Sequence, residues 1–310
     1  MSDGFDLAER SGQPGPRRHH YVPQMMQRRF ATNADRHLWS FDKRHPERGV
    51  ERKPIKRLFR VQHLYTIRRR DGTRDSSTEI RLSAIESRVG PVLDRVIANA
   101  RMGRLPALSE ADRRALVDLF IAQHRRSPDL HRTVLVRRAV DDLIADGMAR
   151  WEALHGPASP EEQAFLTGPE FAERARRDAI AQGAADPLEA ATPAMLRRGF
   201  SVARITAPRR AFILGSNPFA RFMARGSRRQ DLGDPAAELW LPVAHDVAVC
   251  SVGHAAYSTL IEADDAHIRK INEAIALTST VFASASRDLV EAYARLALRA
   301  IEHQGPWEAP

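Results

Sequence analysis

The spacing of apolar residues changes twice along this chain, and these changes limit the folds that are open to it. Between residues 80 and 182, apolar side chains recur every three or four positions, as they do on the buried face of a helix. From residue 200 to 252, short β-type runs stand between turn residues, and helical spacing returns after residue 265. The sequence therefore predicts an α+β fold that is mostly helical, with a small, mainly antiparallel sheet.

The chain divides into segments that differ in composition and in predicted secondary structure. Residues 1–16 are small and polar and contain proline, which predicts a disordered leader. We expect residues 17–310 to form a single α+β domain. Its predicted parts are a basic α/β N-terminal part over 17–104, a helical middle over 105–198, a small sheet over 199–260 and C-terminal helices over 265–304.

Local signals place several elements within these parts. Alternating apolar residues predict a strand at 37–42 and a second one at 64–68. Ser109 is a predicted helix N-cap, because acidic residues follow it in the first turn. Near the C-terminus, Ile268 and Phe282 are predicted to lie on one helical face that continues after a break.

The positive charge is concentrated in the N-terminal part. The whole chain has 48 basic and 39 acidic residues, and residues 17–104 alone hold 22 basic against 9 acidic ones. A basic face attracts polyanions, which makes DNA or RNA the expected partner. The candidate nucleic-acid-binding residues are Arg17, Arg18, Arg28, Arg29, Lys53, Lys56 and Arg57. The alternative is solvated surface charge, since the bias towards arginine and alanine resembles an effect of base composition.

Several classes of protein are excluded or disfavoured. A single cysteine, Cys250, excludes an intrachain disulfide framework and a multi-cysteine zinc site, and it suits a reducing compartment. No apolar run approaches the roughly 20 residues needed to cross a bilayer, and the N-terminus lacks a secretory pattern. The sequence has neither a Gly-x-Gly-x-x-Gly run nor a Walker loop. These features predict a cytoplasmic protein with no membrane contact.

The densest polar motif is Arg17-Arg-His-His-Tyr-Val-Pro-Gln24. Neighbouring residues on a strand point to opposite sides, so one of the two histidines can face the reaction while the other packs. Histidine serves as a base, a phosphate-binding cation or a metal ligand near neutral pH. The alternative is that both histidines belong to an ordinary basic surface.

The chain resembles the domain of unknown function 4238 family, which comprises bacterial proteins that open with a His-His-Tyr-Val-Pro-Gln signature. Further patterns match in order: Leu38 to Lys43, Leu82 to Glu86, Phe120 to Pro128, Phe212 to Pro218, and Ile271-Asn272. Ser216 is a departure, because the family usually has aspartate before Asn-Pro. The resemblance implies a shared fold and no particular activity.

The polar residues of these patterns form the predicted site. The candidate catalytic residues are His19, His20, Gln24, Gln123, Arg126 and Asn217, and the candidate ligands for a divalent metal ion, Mg²⁺ or Mn²⁺, are Asp42 and Glu86. A histidine would activate water and Arg126 would stabilise the charge that develops on phosphorus, so the set suits phosphodiester hydrolysis. In the alternative structural interpretation, Asp42 pairs with a local base, Glu86 pairs with Arg126, and Asn217 belongs to a turn.

Two other functions stay open at this stage. The first is a non-catalytic module of a defence or toxin system that binds nucleic acid or a protein partner, which the serine at 216 favours. The second is an enzyme that acts on a small anionic metabolite in a deep pocket. A comparison with the His-Me finger nucleases fits poorly, because no hairpin is evident before His19. His124 and His131 are interpreted as part of an exposed basic patch.

Overall fold

The computed structural model describes residues 18–32, 34–68, 73–135, 137–185, 191–223, 234 and 236–304. Its helices are α1 (Gln24–Phe30), α2 (Ser77–Arg101), α3 (Glu110–Arg126), α4 (Pro128–Val134), α5 (Arg137–His155), α6 (Pro160–Leu166), α7 (Pro169–Gly183), α8 (Ala191–Leu196), α9 (Asp265–Thr278) and α10 (Arg287–Gln304). Its strands are β1 (Arg18–His20), β2 (His37–Asp42), β3 (Val50–Pro54), β4 (Arg60–Gln62), β5 (Ile67–Arg68), β6 (Arg74–Asp75), β7 (Gly199–Arg204), β8 (Leu214–Gly215), β9 (Ala220–Met223), β10 (Ala237–Ala244), β11 (Val247–Val252), β12 (Leu260–Glu262) and β13 (Val281–Ser284). Helix takes up 53% of the structure and strand 20%, so the predicted α+β class is confirmed.

The largest sheet forms in the segment where the sequence predicts one. Its five strands follow the order β12-β7-β11-β10-β9, and only β12 and β7 run parallel to each other. The register places Cys250 of β11 between Trp240 of β10 and Ser201 of β7. Nearly all residues of β10 and β11 are buried, so both faces of the sheet centre are covered.

A second sheet joins strands that are far apart in the sequence, in the order β3-β2-β13-β8. Its strand β2 occupies the predicted residues 37–42. The prediction that Phe282 continues the helical face of Ile268 is wrong, because α9 ends at Thr278 and Phe282 lies on β13, opposite Phe41. A four-residue run is too short for its spacing to separate strand from helix. The segment predicted as C-terminal helices thus also contains a strand.

The histidine pair lies on a short strand near the N-terminal edge of the described chain. Strand β1 pairs antiparallel with β4, and the backbone then bends into α1 after Pro23. Of the predicted strand at 64–68 only Ile67 and Arg68 are extended, because residues 63–65 form a turn. This turn brings Tyr65 back beside β1.

Helix α3 positions the other half of the polar site. It begins at the predicted N-cap, where the Ser109 hydroxyl accepts the Asp112 N–H at 3.1 Å and the Asp112 carboxylate accepts the Ser109 N–H at 3.1 Å. It ends at Arg126, and Pro128 begins α4, because a proline disfavours helical backbone in the preceding residue. Gln123 and Arg126 therefore lie in the last turn of α3.

One connected hydrophobic core runs from Tyr21 to Ala297 and includes residues of both large sheets. The predicted leader at 1–16 and residue Arg17 lie outside the described residues. Within the described part of the chain, no helix combines the length and the apolar character needed to cross a membrane.

Candidate functional site

His19 and His20 point to opposite sides of β1, as neighbouring side chains on a strand do. His19 is 0% exposed, its Nδ1 accepts the backbone N–H of Tyr65 at 2.9 Å, and its ring stacks on the Tyr65 ring at 5.4 Å. His20 points to the other side and is only half-buried. His19 therefore holds the fold together, while His20 is within reach of solvent.

His20 lies among cationic groups. Burial lowers the pKa of His20, a hydrogen bond with the Lys56 backbone opposes this, and the charges of Arg60 and Arg126 lower the pKa further. Its Nε2 is 3.4 Å from the side-chain nitrogen of Gln24. The ring is consequently mainly neutral at pH 7, and it can accept a proton.

Arg126 is 2% exposed, and it connects its own helix α3 with β1, with α2 and with the turn that contains Tyr65. Its Nη2 donates to the His20 carbonyl at 2.6 Å, and its Nη1 donates to Glu86 Oε1 of α2 at 2.8 Å. Its guanidinium also lies 6.0 Å from the centre of the Tyr65 ring, whose hydroxyl donates to the Arg126 carbonyl at 3.1 Å. The pairing of Glu86 with Arg126 agrees with the structural alternative, and the guanidinium positions β1 from inside the protein.

The two glutamines have different surroundings. Gln24 is half-buried beside His20, at the start of α1. Gln123 is 0% exposed, and its side-chain nitrogen donates to the Tyr21 carbonyl at 2.8 Å. Gln24 can thus orient the imidazole or a ligand, whereas Gln123 ties α3 to the segment after β1.

Asp42 does not join the residues around His20. Its carboxylate accepts a two-pronged bond from Arg44, at 2.9 Å from Nε and 2.7 Å from Nη2. Burial disfavours the charged form of Asp42, but the hydrogen bonds from Arg44 outweigh it and lower the pKa of this carboxyl. Asp42 and Glu86 are therefore each bonded to an arginine of their own. Among the described residues, no group of three His, Cys, Asp or Glu side chains could hold a metal ion.

Ser216 and Asn217 belong to a separate buried network. The Ser216 hydroxyl donates to Asp129 Oδ2 and accepts the Val281 N–H at 3.0 Å, and the Asp129 carboxylate also bonds to Thr280. The Asn217 main chain exchanges two hydrogen bonds with the Ser279 hydroxyl, at 3.1 and 2.9 Å. A carboxylate is thus present beside position 216, but it comes from α4.

The predicted basic residues fall into two groups. Arg29 is bonded to Asp94 at 2.7 Å and Lys53 to Glu51 at 2.7 Å, so an acid already balances each of them. Arg18, Arg28, Lys56 and Arg57 are exposed and form no ion pair with a carboxylate in the described chain. Arg60 lies opposite His20 on β4, and its pKa is lowered by burial and then by the charges of Arg18 and Arg57. Lys56 bonds to His20 through its backbone, and its exposed side chain belongs to the same segment. We call Arg18, Lys56, Arg57 and Arg60 the cationic rim.

Two residues of the site were not predicted from the sequence. Tyr65 contacts His19 and Arg126, and no local pattern marks it, because it comes from a turn. Burial raises the pKa of Glu79 on α2, with Arg126 opposing the shift and Glu86 adding to it. Glu79 precedes Glu86 by two helical turns, so the spacing of the two acids was the available signal.

The interpretation of His124 and His131 as exposed is wrong. His131 is 8% exposed and bonds to the Arg125 carbonyl, and the His124 ring lies edge-on to Phe219 at 6.2 Å. Burial lowers the pKa of His124 to about 4, and neighbouring cations add to the shift. Both histidines belong to the packing around the end of α3.

The comparison with known proteins bears on this site. The model of a family described as "Protein of unknown function (DUF4238)" matches residues 18–288, which is nearly the whole chain. The chain belongs to this family. The family membership inferred from the resemblance is thereby confirmed, and the family's description assigns it no activity. No curated protein and no solved structure matches the chain.

Proposed function

We propose that this protein binds nucleic acid and hydrolyses its phosphodiester bonds, with His20 as the general base. The observation that carries the proposal is a half-buried, mainly neutral imidazole beside exposed cations. These cations are Arg18, Lys56 and Arg57, and Arg60 completes the rim. Phosphate groups are the anions that such a rim binds, and a neutral imidazole is the form that accepts a proton.

The chemistry uses the groups that the structure brings together. A ring nitrogen of His20 takes a proton from water, the water oxygen attacks phosphorus, and the bond from phosphorus to the leaving oxygen breaks. The imidazolium then returns the proton to that oxygen. The cationic rim stabilises the negative charge on the phosphoryl oxygens. Arg126 acts as a positioning residue, because its guanidinium fixes the His20 backbone and cannot reach the substrate.

The surroundings of Asp42 and Glu86 do not favour a bound metal ion. Asp42 and Glu86 accept hydrogen bonds from Arg44 and Arg126 respectively, so they do not fit a shared site for Mg²⁺ or Mn²⁺. The metal remains a prediction, and assays with each cation and with a chelator test it directly.

The test is turnover by the purified full chain on DNA and RNA, in the presence of Mg²⁺, of Mn²⁺ and of chelator. We expect cleavage, and we expect His20→Ala to lower its rate by about a hundredfold or more. His45→Ala is the matched control, because His45 is an exposed histidine on the same N-terminal part. Equal rates in the wild type and His20→Ala would refute the role of His20.

A second candidate is a binding module without catalysis. The burial of His19, Gln123 and Arg126 favours it, since three of the six predicted catalytic side chains serve the fold. In that case nucleic acid binds without turnover, and its affinity falls steeply with salt because bound phosphates release counterions. A cytoplasmic location, where nucleic acid is available, belongs to both forms of the proposal.

A further inference from the structure

A cavity of about 240 Å³ lies between the five-stranded sheet and α9, and it shares no residue with the His20 site. One cross-strand row along it consists of Trp240, Cys250 and Ser201, on three neighbouring strands. The next row contains Phe222 of β9 and Glu238 of β10, which pair directly. The cavity therefore has a wall of regular sheet, whose side chains are fixed by strand register.

Two polar groups in this wall have unused hydrogen-bonding capacity. Ser201 is 4% exposed, and its buried hydroxyl has no hydrogen-bond partner in the described chain. The Glu238 carboxylate accepts the indole N–H of Trp240 at 3.0 Å, which holds it in place and leaves further acceptor sites. A buried hydroxyl without a partner costs free energy, so its presence beside a cavity points to a ligand.

Aromatic rings and one cation complete the site. Phe222, Trp240 and Tyr257 all line the cavity. The Lys270 ammonium of α9 lies 4.0 Å from the centre of the Phe222 ring, and no described carboxylate forms an ion pair with it. The cavity thus has aromatic side chains, a carboxylate and a hydroxyl in its wall, and an exposed positive charge that lies over the Phe222 ring.

We propose that this cavity binds a guanine nucleotide. Guanine presents N1–H and the exocyclic amino group on the same edge, and these two donors match the carboxylate of Glu238. Adenine places an acceptor beside its amino group, and uracil places its N–H between two carbonyls, so both would meet the carboxylate with a lone pair. The rings of Trp240 and Tyr257 flank the base, the Ser201 hydroxyl donates to an acceptor nitrogen of the base, and Lys270 binds the phosphate.

The size of the cavity agrees with this ligand. Its volume corresponds to roughly eight water molecules, which is the room for a heterocyclic base but not for a whole nucleotide. The ribose and phosphate therefore extend out of the cavity, where the exposed Lys270 is available.

The experiment is a titration of the full chain with GMP, AMP and guanosine, followed by calorimetry and by quenching of tryptophan fluorescence. We expect GMP to bind about tenfold or more tightly than AMP, because each unmatched buried polar group weakens binding. Glu238→Gln should abolish the preference for GMP over AMP. Lys270→Ala should reduce the affinity for GMP to that for guanosine.

Ser201→Ala separates binding from folding. Its hydroxyl has no partner in the unliganded protein, so the variant should keep its thermal stability and bind GMP about fivefold more weakly. Glu302→Gln, on the exposed end of α10, is the matched control and should leave GMP binding unchanged. Equal affinities for GMP and AMP, an absence of GMP binding, or unchanged binding by Ser201→Ala would each overturn the proposal.

Discussion

The polar residues of the family pattern end up in two regions of opposite character. Around His20 the imidazole is half-buried, and no carboxylate in the described part of the chain balances the cations of its rim. Around Asp129 the carboxylate is 9% exposed and accepts hydrogen bonds from Ser216 and Thr280. The first region has unused charge and access to solvent, while the second has neither. Matching polar residues thus lie in an accessible cationic region in one place and in a closed hydrogen-bond network in the other.

The largest expected effect comes from removing the Asp129 carboxylate. Asp129→Ser removes the shared acceptor of Ser216 and Thr280, so we expect the free energy of unfolding to fall by about 3–5 kcal/mol. Ser216→Asp should cost a similar amount, because it places a second carboxylate against the first. Denaturant unfolding, monitored by circular dichroism, measures both.

The double variant Asp129→Ser with Ser216→Asp tests whether the carboxylate of this network can sit at either of the two positions. It moves the carboxylate from α4 to position 216, where the resemblance to the family predicts an aspartate, so most of the lost stability should return. Additive losses in the double variant would show that the two positions are not interchangeable. Glu47→Gln, at an exposed acid, should leave the unfolding curve unchanged.

The next effect concerns pH and the half-buried His124. Its pKa is about 4 in the folded protein and near 6.5 in an unfolded chain. The folded state therefore keeps its full stability above pH 6.5 and loses it as the pH falls towards 4. We expect a loss of about 2–3 kcal/mol from this histidine. Unfolding curves at pH 7, 5.5 and 4 test this, and His124→Phe should flatten the dependence.

The smallest effect tests the unbalanced charge near His20. Lys56→Ala should weaken binding to nucleic acid about threefold to tenfold and reduce the slope of affinity against salt by about one. Lys53→Ala is the matched control, because its ammonium is already bonded to Glu51 at 2.7 Å. Binding is measured by fluorescence anisotropy at several salt concentrations. Equal losses in both variants would remove the distinction between rim and paired cations.

The sequence predicted elements that depend on local signals. Strand β2 and the N-cap Ser109 were placed correctly, because alternation and capping involve residues close along the chain. The link between Glu86 and Arg126 was also anticipated, as one of two alternatives for these residues. These features rest on short-range spacing and on residue types that can pair in few ways.

Contacts between distant residues could not be predicted in this way. Asp129 bonds to residues 87 and 151 positions later, and no spacing rule connects them. Tyr65 enters the site from a turn, and the strand β13 is too short for its pattern to be read. The predicted catalytic roles of His19, Gln123 and Arg126 depended on exposure, which only the folded chain determines.

The position of β13 has a consequence for how the protein is made. This strand contains residues 281–284, yet it pairs along its whole length with β2, which ends at Asp42. About 240 residues must therefore be added after β2 before its partner strand is synthesised, since Asp42 pairs with Val281. The edge of β2 that pairs with β13 lacks its partner throughout that interval, and an unpaired edge is a site at which another chain can add a strand.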